Sequence, residues 1–411
     1  MRASAILVFA ACGSSPAVED AASDVPADAE ADHPIGTIRV TAIAGTRTSP
    51  SPLAGATVLF TDVDQTQVVT TDSAGRASAT VHGPTSVTTL EFRGPTIIMA
   101  KSVLDAQPGD DIMLAPRHDD LTEIAPLTVT FTQSAPVEVC GPCECVLASS
   151  SPVSVPMRAM CKANVVEVLL LSVAQGMYAT ASGPYDSATG GVIAMPPQLA
   201  QAPRLTGTFT NVGPPITSVV LDYSAGYRDR AQLQQSGSTL SGQVYAWPYR
   251  GPRLISTFLN GFGDGEYQVA VEDVTPAMTG LTIDTSTSLL TWIRAPRLNT
   301  TTMTIHVPIA HPGADGDLFA MDLSYNGVGG SAVTWQLFQA RPGDVVLPPI
   351  PPGIADLTPT GANETIRADV VASAAVAGYP EARKDPYALW YAIRVPGSGS
   401  LRFSASPKGP P

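Results

Sequence analysis

Hydrophobic and polar residues alternate with a period of two along most of the chain, the spacing that places every second side chain of a strand on one face. In the first part of the chain the alternating runs are Ile35–Ile43, Ala56–Thr61, Arg76–Val81, Ser86–Phe92 and Thr96–Leu104, separated by clusters of Gly, Pro, Asp and Ser. One cluster, Asp72-Ser-Ala-Gly75, has the chemistry of a tight turn. Its Asp carboxylate can accept from amides ahead of it, and its Gly tolerates a positive φ. The pattern resumes at Leu127–Phe131 and Val137–Cys140. The apolar run Val165–Ala174 is rich in Val and Leu and precedes Gly176, which predicts a core strand rather than a buried helix. Leu205–Val212, Ile216–Tyr223, Thr239–Trp247, Leu254–Leu259 and Tyr267–Val271 predict a meander with Phe262-Gly-Asp-Gly265 as one hairpin turn. A last group runs through Leu289–Trp292, Thr302–Val307, Leu318–Tyr325 and Ala332–Phe338 to a closing pair, Ala388–Val395 and Leu401–Phe403. Trp292 and Trp335 are expected in cores, and Pro348-Pro-Ile-Pro-Pro352 as a polyproline crossover between sheets. Many short strands at regular spacing predict an all-β chain of tandem Ig-like or fibronectin-like β-sandwich domains.

Length and composition narrow this picture. A chain of 411 residues allows about three domains. Hydrophobic residues make up 44%, enough for several cores, so disorder throughout is excluded. Charged residues are only 14%, against about 25% in ordinary proteins, which excludes a coiled coil. The 35 Gly and 38 Pro are the turn chemistry that many short strands require. The net charge is −13, and no Lys/Arg cluster interrupts it. A nucleic-acid partner needs a basic face to displace phosphate counterions, so that class is excluded.

The N-terminus reads as an address. Arg2 is a positive start, Ala3–Ala11 is apolar, and small residues precede Cys12. Nine apolar residues are too few to cross a bilayer, which takes about 20 in a helix. Phe9-Ala-Ala-Cys12 followed by Gly13 resembles the lipobox of bacterial lipoproteins. The resemblance implies that Cys12 is lipidated and becomes the mature N-terminus, anchoring the chain in a membrane. Gly13 rather than Asp after the cysteine implies, by the same resemblance, the outer membrane. Residues 13–33 hold six acids, no Lys, no Arg and no aromatic. Such a segment cannot bury enough apolar area to offset its ordering entropy, so a disordered acidic tether is expected.

After the tether, Pro52-Leu-Ala-Gly-Ala-Thr-Val58, Thr71-Asp-Ser-Ala-Gly75 and Pro108-Gly-Asp-Asp-Ile-Met-Leu114 resemble the Ig-like, carboxypeptidase-regulatory-like domains of surface proteins. The resemblance covers 34–116 and implies a structural or binding sandwich without peptidase activity. An acidic tether followed by such a module is also similar to predicted lipoproteins of myxobacterial type. The expected organisation is therefore a signal and lipidation site at 1–12, a linker at 13–33, an Ig-like domain at 34–116, and two further sandwich-type regions at 117–280 and 281–411.

Four cysteines remain once Cys12 is set aside: Cys140, Cys143, Cys145 and Cys161. An even number in an exported chain predicts two disulfides. Cys140–Cys161 would close a loop worth about 3 kcal/mol, leaving Cys143 and Cys145, while Cys143 or Cys145 could equally pair with Cys161. A zinc knuckle needs two matched pairs, and Cys140-Gly-Pro-Cys143 lacks the βαβ surroundings of a thioredoxin-type redox motif. No zinc-peptidase His pair, nucleophile elbow, phosphate loop or dinucleotide fingerprint occurs. His306 and His311 with Asp315 and Asp317, and the pair Asp62 and Asp64, read better as strand ends and turns than as metal sites. Tyr245, Trp247 and Tyr249 share one face of a strand, with Pro248 pointing to an edge; they are either core residues or a platform on which sugar rings stack. The expected function is a non-catalytic, lipid-anchored envelope protein that contacts a protein or glycan, with no cofactor and no catalytic residues. The alternative is an exported hydrolase or glycan-acting enzyme whose site carries no linear motif.

Overall fold

The computed structural model describes residues 34–411 apart from 46–49, 64, 95, 116–121, 135, 173–174, 225–227, 248–252, 261–265, 276–277, 329, 361–363, 393–398 and 407–411. Cys12 and the tether expected at 13–33 lie outside the described residues. Within them the chain is all-β: thirty-three strands, one 3-10 turn and three α-helices of at most seven residues.

The largest sheet has twelve strands. From one edge it runs Thr66–Thr70, Thr57–Thr61, Thr85–Phe92 and Ile97–Ala106, then Ala332–Gln339, Leu318–Asn326, Thr365–Ser373 and Leu401–Ala405. It continues through Tyr267–Asp273, Arg253–Asn260 and Ile216–Ser224 to Arg228–Arg230. Every pairing is antiparallel except that of Ile97–Ala106 with Ala332–Gln339, where Ile97 faces Ala332 and Val103 faces Phe338. Leu401–Ala405 lies between Thr365–Ser373 and Tyr267–Asp273, antiparallel to both. The sheet thus crosses the boundaries expected at 116/117 and 280/281, and residues 35–411 form one compact unit.

The centre of this sheet is covered on both faces. Phe60 joins one core with Ile38, Val81, Val103 and Phe338, whereas its neighbour Leu59 joins another with Leu90, Trp335 and Leu337. Ile97–Ala106 and Leu318–Asn326 accordingly bury runs of consecutive residues, as strands sandwiched between two layers do. The first core is closed by Ile35–Gly45, Arg76–His82 and Asp111–Leu114, whose alternating burial is the pattern of a sheet with one wet face. Gly75 makes its turn at φ +72°, and Asp72 accepts from the amides of Ala74 and Arg76, as the turn chemistry required. A Cβ at Gly75 would lie 2.4 Å from the Ala42 carbonyl oxygen, so the position is closed to other residues on two counts.

Residues between Leu127 and Trp292 contribute to two further cores. The first packs Glu123–Thr130, Val153–Arg158 and Gly191–Ala194 against the sheet that contains Val165–Ser172. The second gathers Leu205, Phe209, Leu221, Val244 and Trp247 with Phe258 and Trp292. Val165–Ser172 is the core strand expected from its composition and serves both: Val166, Val168 and Leu170 point into the first core, Leu169 and Leu171 into the second. Trp292 and Trp335 are buried, as expected.

One expected strand is a helix. Ala388–Val395 was to close the last sheet, but Pro386–Ala392 is helical. Proline suits a helix start, and Asp385 Oδ1 accepts from the Ala388 amide at 2.9 Å. Tyr387 and Trp390, three residues apart, share a helical face and pack on Phe338 with ring centroids 4.9 and 5.7 Å away. A strand would send these two rings to opposite faces.

This helix also roofs buried polar groups. Tyr387 donates to Gln336 at 2.6 Å, and Trp390 donates to Asp369, which Arg367 meets from the other side at 3.0 Å. Lys101, 3% exposed, reaches the Ala115 carbonyl and sits 5.5 Å above the Tyr387 ring. Burial pulls its pKa down to about 8, against a smaller opposing pull from Glu91. Between pH 8 and the ordinary lysine value the unfolded chain binds a proton that the folded chain has released, so stability rises with pH in that window. We expect a rise of roughly 2 kcal/mol between pH 7.5 and 9.5 relative to Lys101→Met, which should also be the more stable protein at pH 7. Urea midpoints of the two proteins across this range check it; parallel curves would show that Lys101 stays charged.

Candidate functional site

The four cysteines meet at one end of a hairpin. Val137–Cys140 and Cys145–Ala148 pair antiparallel with Cys140 opposite Cys145, and these two residues form one disulfide across the strands. The hairpin loop carries Cys143, which bonds Cys161 on the 3-10 turn Ala159–Cys161. Of the pairings left open by the sequence, Cys143–Cys161 is the one adopted, with the short-range Cys140–Cys145 bond alongside it. Local geometry explains the choice. The antiparallel register sets Cys140 against Cys145, which leaves Cys143 at the tip facing the segment after Val153–Arg158. There the Arg158 amide approaches Cys143 Sγ at 3.2 Å, and the Arg158 guanidinium lies 3.7 Å from Glu144. Glu138, Cys140 and Cys145 bring ligand-type atoms within 4.8 Å of one another. Both sulfurs are already bonded to each other, so the trio offers a metal no thiolate, and burial pushes the Glu138 carboxyl up.

Among the described residues, the aromatic row does not form an open platform. Trp247 is fully buried in the core around Phe209 and Phe258, where a stacking platform needs a free ring face. Tyr249 lies outside the described residues. Tyr245 is half-buried and held on several sides. The Trp247 ring is 5.4 Å away, the Arg204 guanidinium stacks at 4.8 Å and donates to the phenol oxygen at 2.9 Å, and Gly176 passes so close that a Cβ there would meet the ring at 2.4 Å. The strand ends at Tyr245, two residues sooner than expected, so Trp247 turns inward.

Tyr245 nonetheless borders a feature that sequence reasoning missed. The sheet of Gln234–Ser236, Thr239–Tyr245, Arg204–Thr210 and Gly280–Asp284 turns Leu205, Phe209 and Val244 toward the core and Thr206, Ser241 and Gln243 outward. Gly207 and Gly242 are register partners. A Cβ on either would strike Leu221 or Leu233 from the core side, at 2.4 and 2.7 Å, so the two strands lie directly on these leucines. The outer face carries an open groove of about 420 Å³ lined by Thr206, Gln232, Gln234, Ser241 and Gln243. The only sequence signal for it is a polar residue at every second position, which any solvent face also shows.

His306, Asp315, Asp317 and Asp62, considered as metal ligands, take separate structural partners. His306 Nδ1 pairs with Asp344 Oδ1 at 2.8 Å, a hydrogen bond that holds the Asp344 carboxyl below the usual carboxylate range. Asp315 meets Arg341 at 3.3 Å, and Asp317 accepts from the Ser373 amide at 2.7 Å. Asp62 accepts from the amides of Gln65 and His82, while Asp64 lies outside the described residues. A second groove, of about 780 Å³, opens on the face of Ile35–Gly45, Arg76–His82 and Asp111–Leu114. Its charges are of both signs, with Arg39 and Asp111 3.6 Å apart.

No protein-family model matches the chain, and no curated protein matches it. Among solved structures, the Bacillus anthracis TIE protein aligns with 61% of this chain at 10% identity and a TM-score of 0.17. The aligned part spans half the length of that chain. A Ca²⁺-stabilised adhesin with which an Antarctic bacterium binds ice aligns with 91% of this chain and 98% of its own, at 12% identity and a TM-score of 0.14. TM-scores this low mark strands laid over strands, and decide neither the arrangement of the sheets nor the function.

Two expectations test the cysteine geometry. Cleavage after Arg158 and Lys162 releases Ala159–Lys162, which should stay attached to the peptide bearing Cys143 until reductant is added; its release without reductant would refute the bond. Cys161→Ser, which opens a loop of 18 residues, should lower stability by about 3 kcal/mol in urea unfolding.

Proposed function

We propose that the chain is a non-catalytic surface protein of a bacterial envelope, anchored by lipid on Cys12, with residues 13–33 as its tether and outer-membrane display. Its sandwiches contact a protein or glycan outside the membrane, and residues 34–116 serve as the Ig-like module nearest the anchor. The observation that carries this reading is the pairing of Cys140 with Cys145 and of Cys143 with Cys161. Disulfides persist in oxidising compartments, whereas cytosolic thiols keep cysteines reduced. Four of the five cysteines are thereby accounted for, and the fifth is the one in the lipobox-like run. The groups from which hydrolytic sites are commonly built also support a binding role. His306, Asp315 and Asp317 hold strand ends and turns in place rather than converging on one point.

The test is detergent partition of the full chain expressed in a lipoprotein-processing bacterium. The wild-type chain should enter the detergent phase and incorporate labelled fatty acid; Cys12→Ala should do neither and should stay in the aqueous phase. Equal partition of the two proteins would sink the anchored reading.

A further inference from the structure

The outer face of the sheet that contains Thr239–Tyr245 has the chemistry of a glycan site, and we propose that it binds a neutral oligosaccharide. This inference rests on the surface-binding reading above and names its ligand class. Three features of the groove point to it. First, its size, about 420 Å³, falls within the ~300–1,000 Å³ of small-ligand sites. Second, its lining side chains are amides and hydroxyls: Gln232, Gln234 and Gln243 with Thr206 and Ser241. A Gln amide presents a donor and an acceptor side by side in one plane, which matches the neighbouring hydroxyls of a sugar, each of which both donates and accepts. Third, none of these five side chains is charged, and Arg204 is the cation that borders the row, held to Tyr245 and 3.5 Å from Gln243 Oε1.

The same features argue against other ligands. An acidic or basic ligand would give up its hydration without a counter-charge in the groove. An apolar ligand would bury the amides and hydroxyls unpaired, at a cost of about 1–3 kcal/mol each. A peptide adding as a strand would use main-chain bonds along the edge Gln234–Ser236, whereas the groove opens on the face of the sheet. The register sets the face in order. Gln234 lies opposite Ser241, which lies opposite Thr208; two residues on, Gln243 lies opposite Thr206 and donates to its hydroxyl at 3.3 Å. A row of Gln234, Ser241 and Thr208 therefore crosses three strands beside a shorter row of Gln243 and Thr206, with Gln232 at the rim. Tyr245 is a positioning residue here: it fixes Arg204, and Arg204 meets the Gln243 carbonyl oxygen.

The experiment is native affinity electrophoresis of the purified, detergent-solubilised full chain in gels containing dextran, galactomannan, xyloglucan or soluble starch, with alginate as the acidic comparison. At least one neutral polysaccharide should slow the wild-type protein, and alginate should not. Gln234→Ala combined with Gln243→Ala should weaken that retardation at least tenfold while leaving the urea midpoint in place, since both side chains are exposed. Unchanged mobility in all four neutral gels would overturn the proposal, as would retardation that survives the double substitution or is stronger in alginate. The outcome is independent of anchoring: a chain that partitions into detergent yet is not slowed retains the surface reading and loses the glycan, and a slowed chain that never reaches the membrane does the reverse.

Discussion

A strand covered on both faces cannot leave its main-chain donors and acceptors open, because no water reaches them. That constraint organises residues 35–411. The centre of the twelve-stranded sheet lies between two hydrophobic layers, so each of its strands must have a neighbour on either side, wherever in the chain that neighbour comes from. Ile97–Ala106 finds one neighbour locally, in Thr85–Phe92, and the other more than two hundred residues away in Ala332–Gln339. Trp335 ties the same joint from above the backbone by donating to Ser102 at 2.8 Å, and Ser102 in turn bonds Thr88. The sandwich nearest the N-terminus is therefore completed by the last part of the chain.

The first of the two cores between 123 and 284 is built differently. Its strands pair mostly with near neighbours, and its layer is smaller, centred on Leu127, Val139, Val155 and Val168. Small cores commonly need covalent help. Cys143–Cys161 supplies it by joining the hairpin loop to the 3-10 turn, beside the ion pair of Arg158 with Glu144. The second core holds the Cys140–Cys145 bridge itself, with Cys140 fully buried in it. It shares Val165–Ser172 with the first and leans on the large sheet through Phe258 and Ala270.

How much of this could be read in advance depended on how many faces a strand buries. Arg76–His82 alternates strictly in burial and was legible residue by residue. Val165–Ser172, buried on both faces, was legible as a run. Neighbours close in sequence were legible in part, since Ile216–Tyr223, Leu254–Leu259 and Tyr267–Val271 do pair in order as a meander, although Thr239–Tyr245 joins another sheet. Distant ones were not, since nothing in Ile97–Ala106 names Ala332–Gln339 as its partner. Pro386–Ala392 was misread because a continuous apolar run suits helix and strand alike, and only the shared contact of Tyr387 and Trp390 with Phe338 decides between them. The cysteine count foretold two bonds, but their pairing depended on a hairpin register that composition does not contain. At the aromatic row, spacing put three rings on one face, yet the strand stops at Tyr245 and Trp247 goes inside. The glutamine groove was invisible because Gln232 and Gln234 come beside Gln243 only through the turn at Gly237.

The position of Leu401–Ala405 has a consequence for how the chain is made. In order of synthesis it is the last strand of the large sheet, yet it stands in the middle, between Thr365–Ser373 and Tyr267–Asp273. A ribosome releases every other strand of that sheet first, and until the final one arrives the two halves meet across an empty slot. Contacts of such long sequence separation form slowly. The two halves of the sheet are thus joined through a strand drawn from the far end of the described residues, which makes closure of its centre a late step in folding.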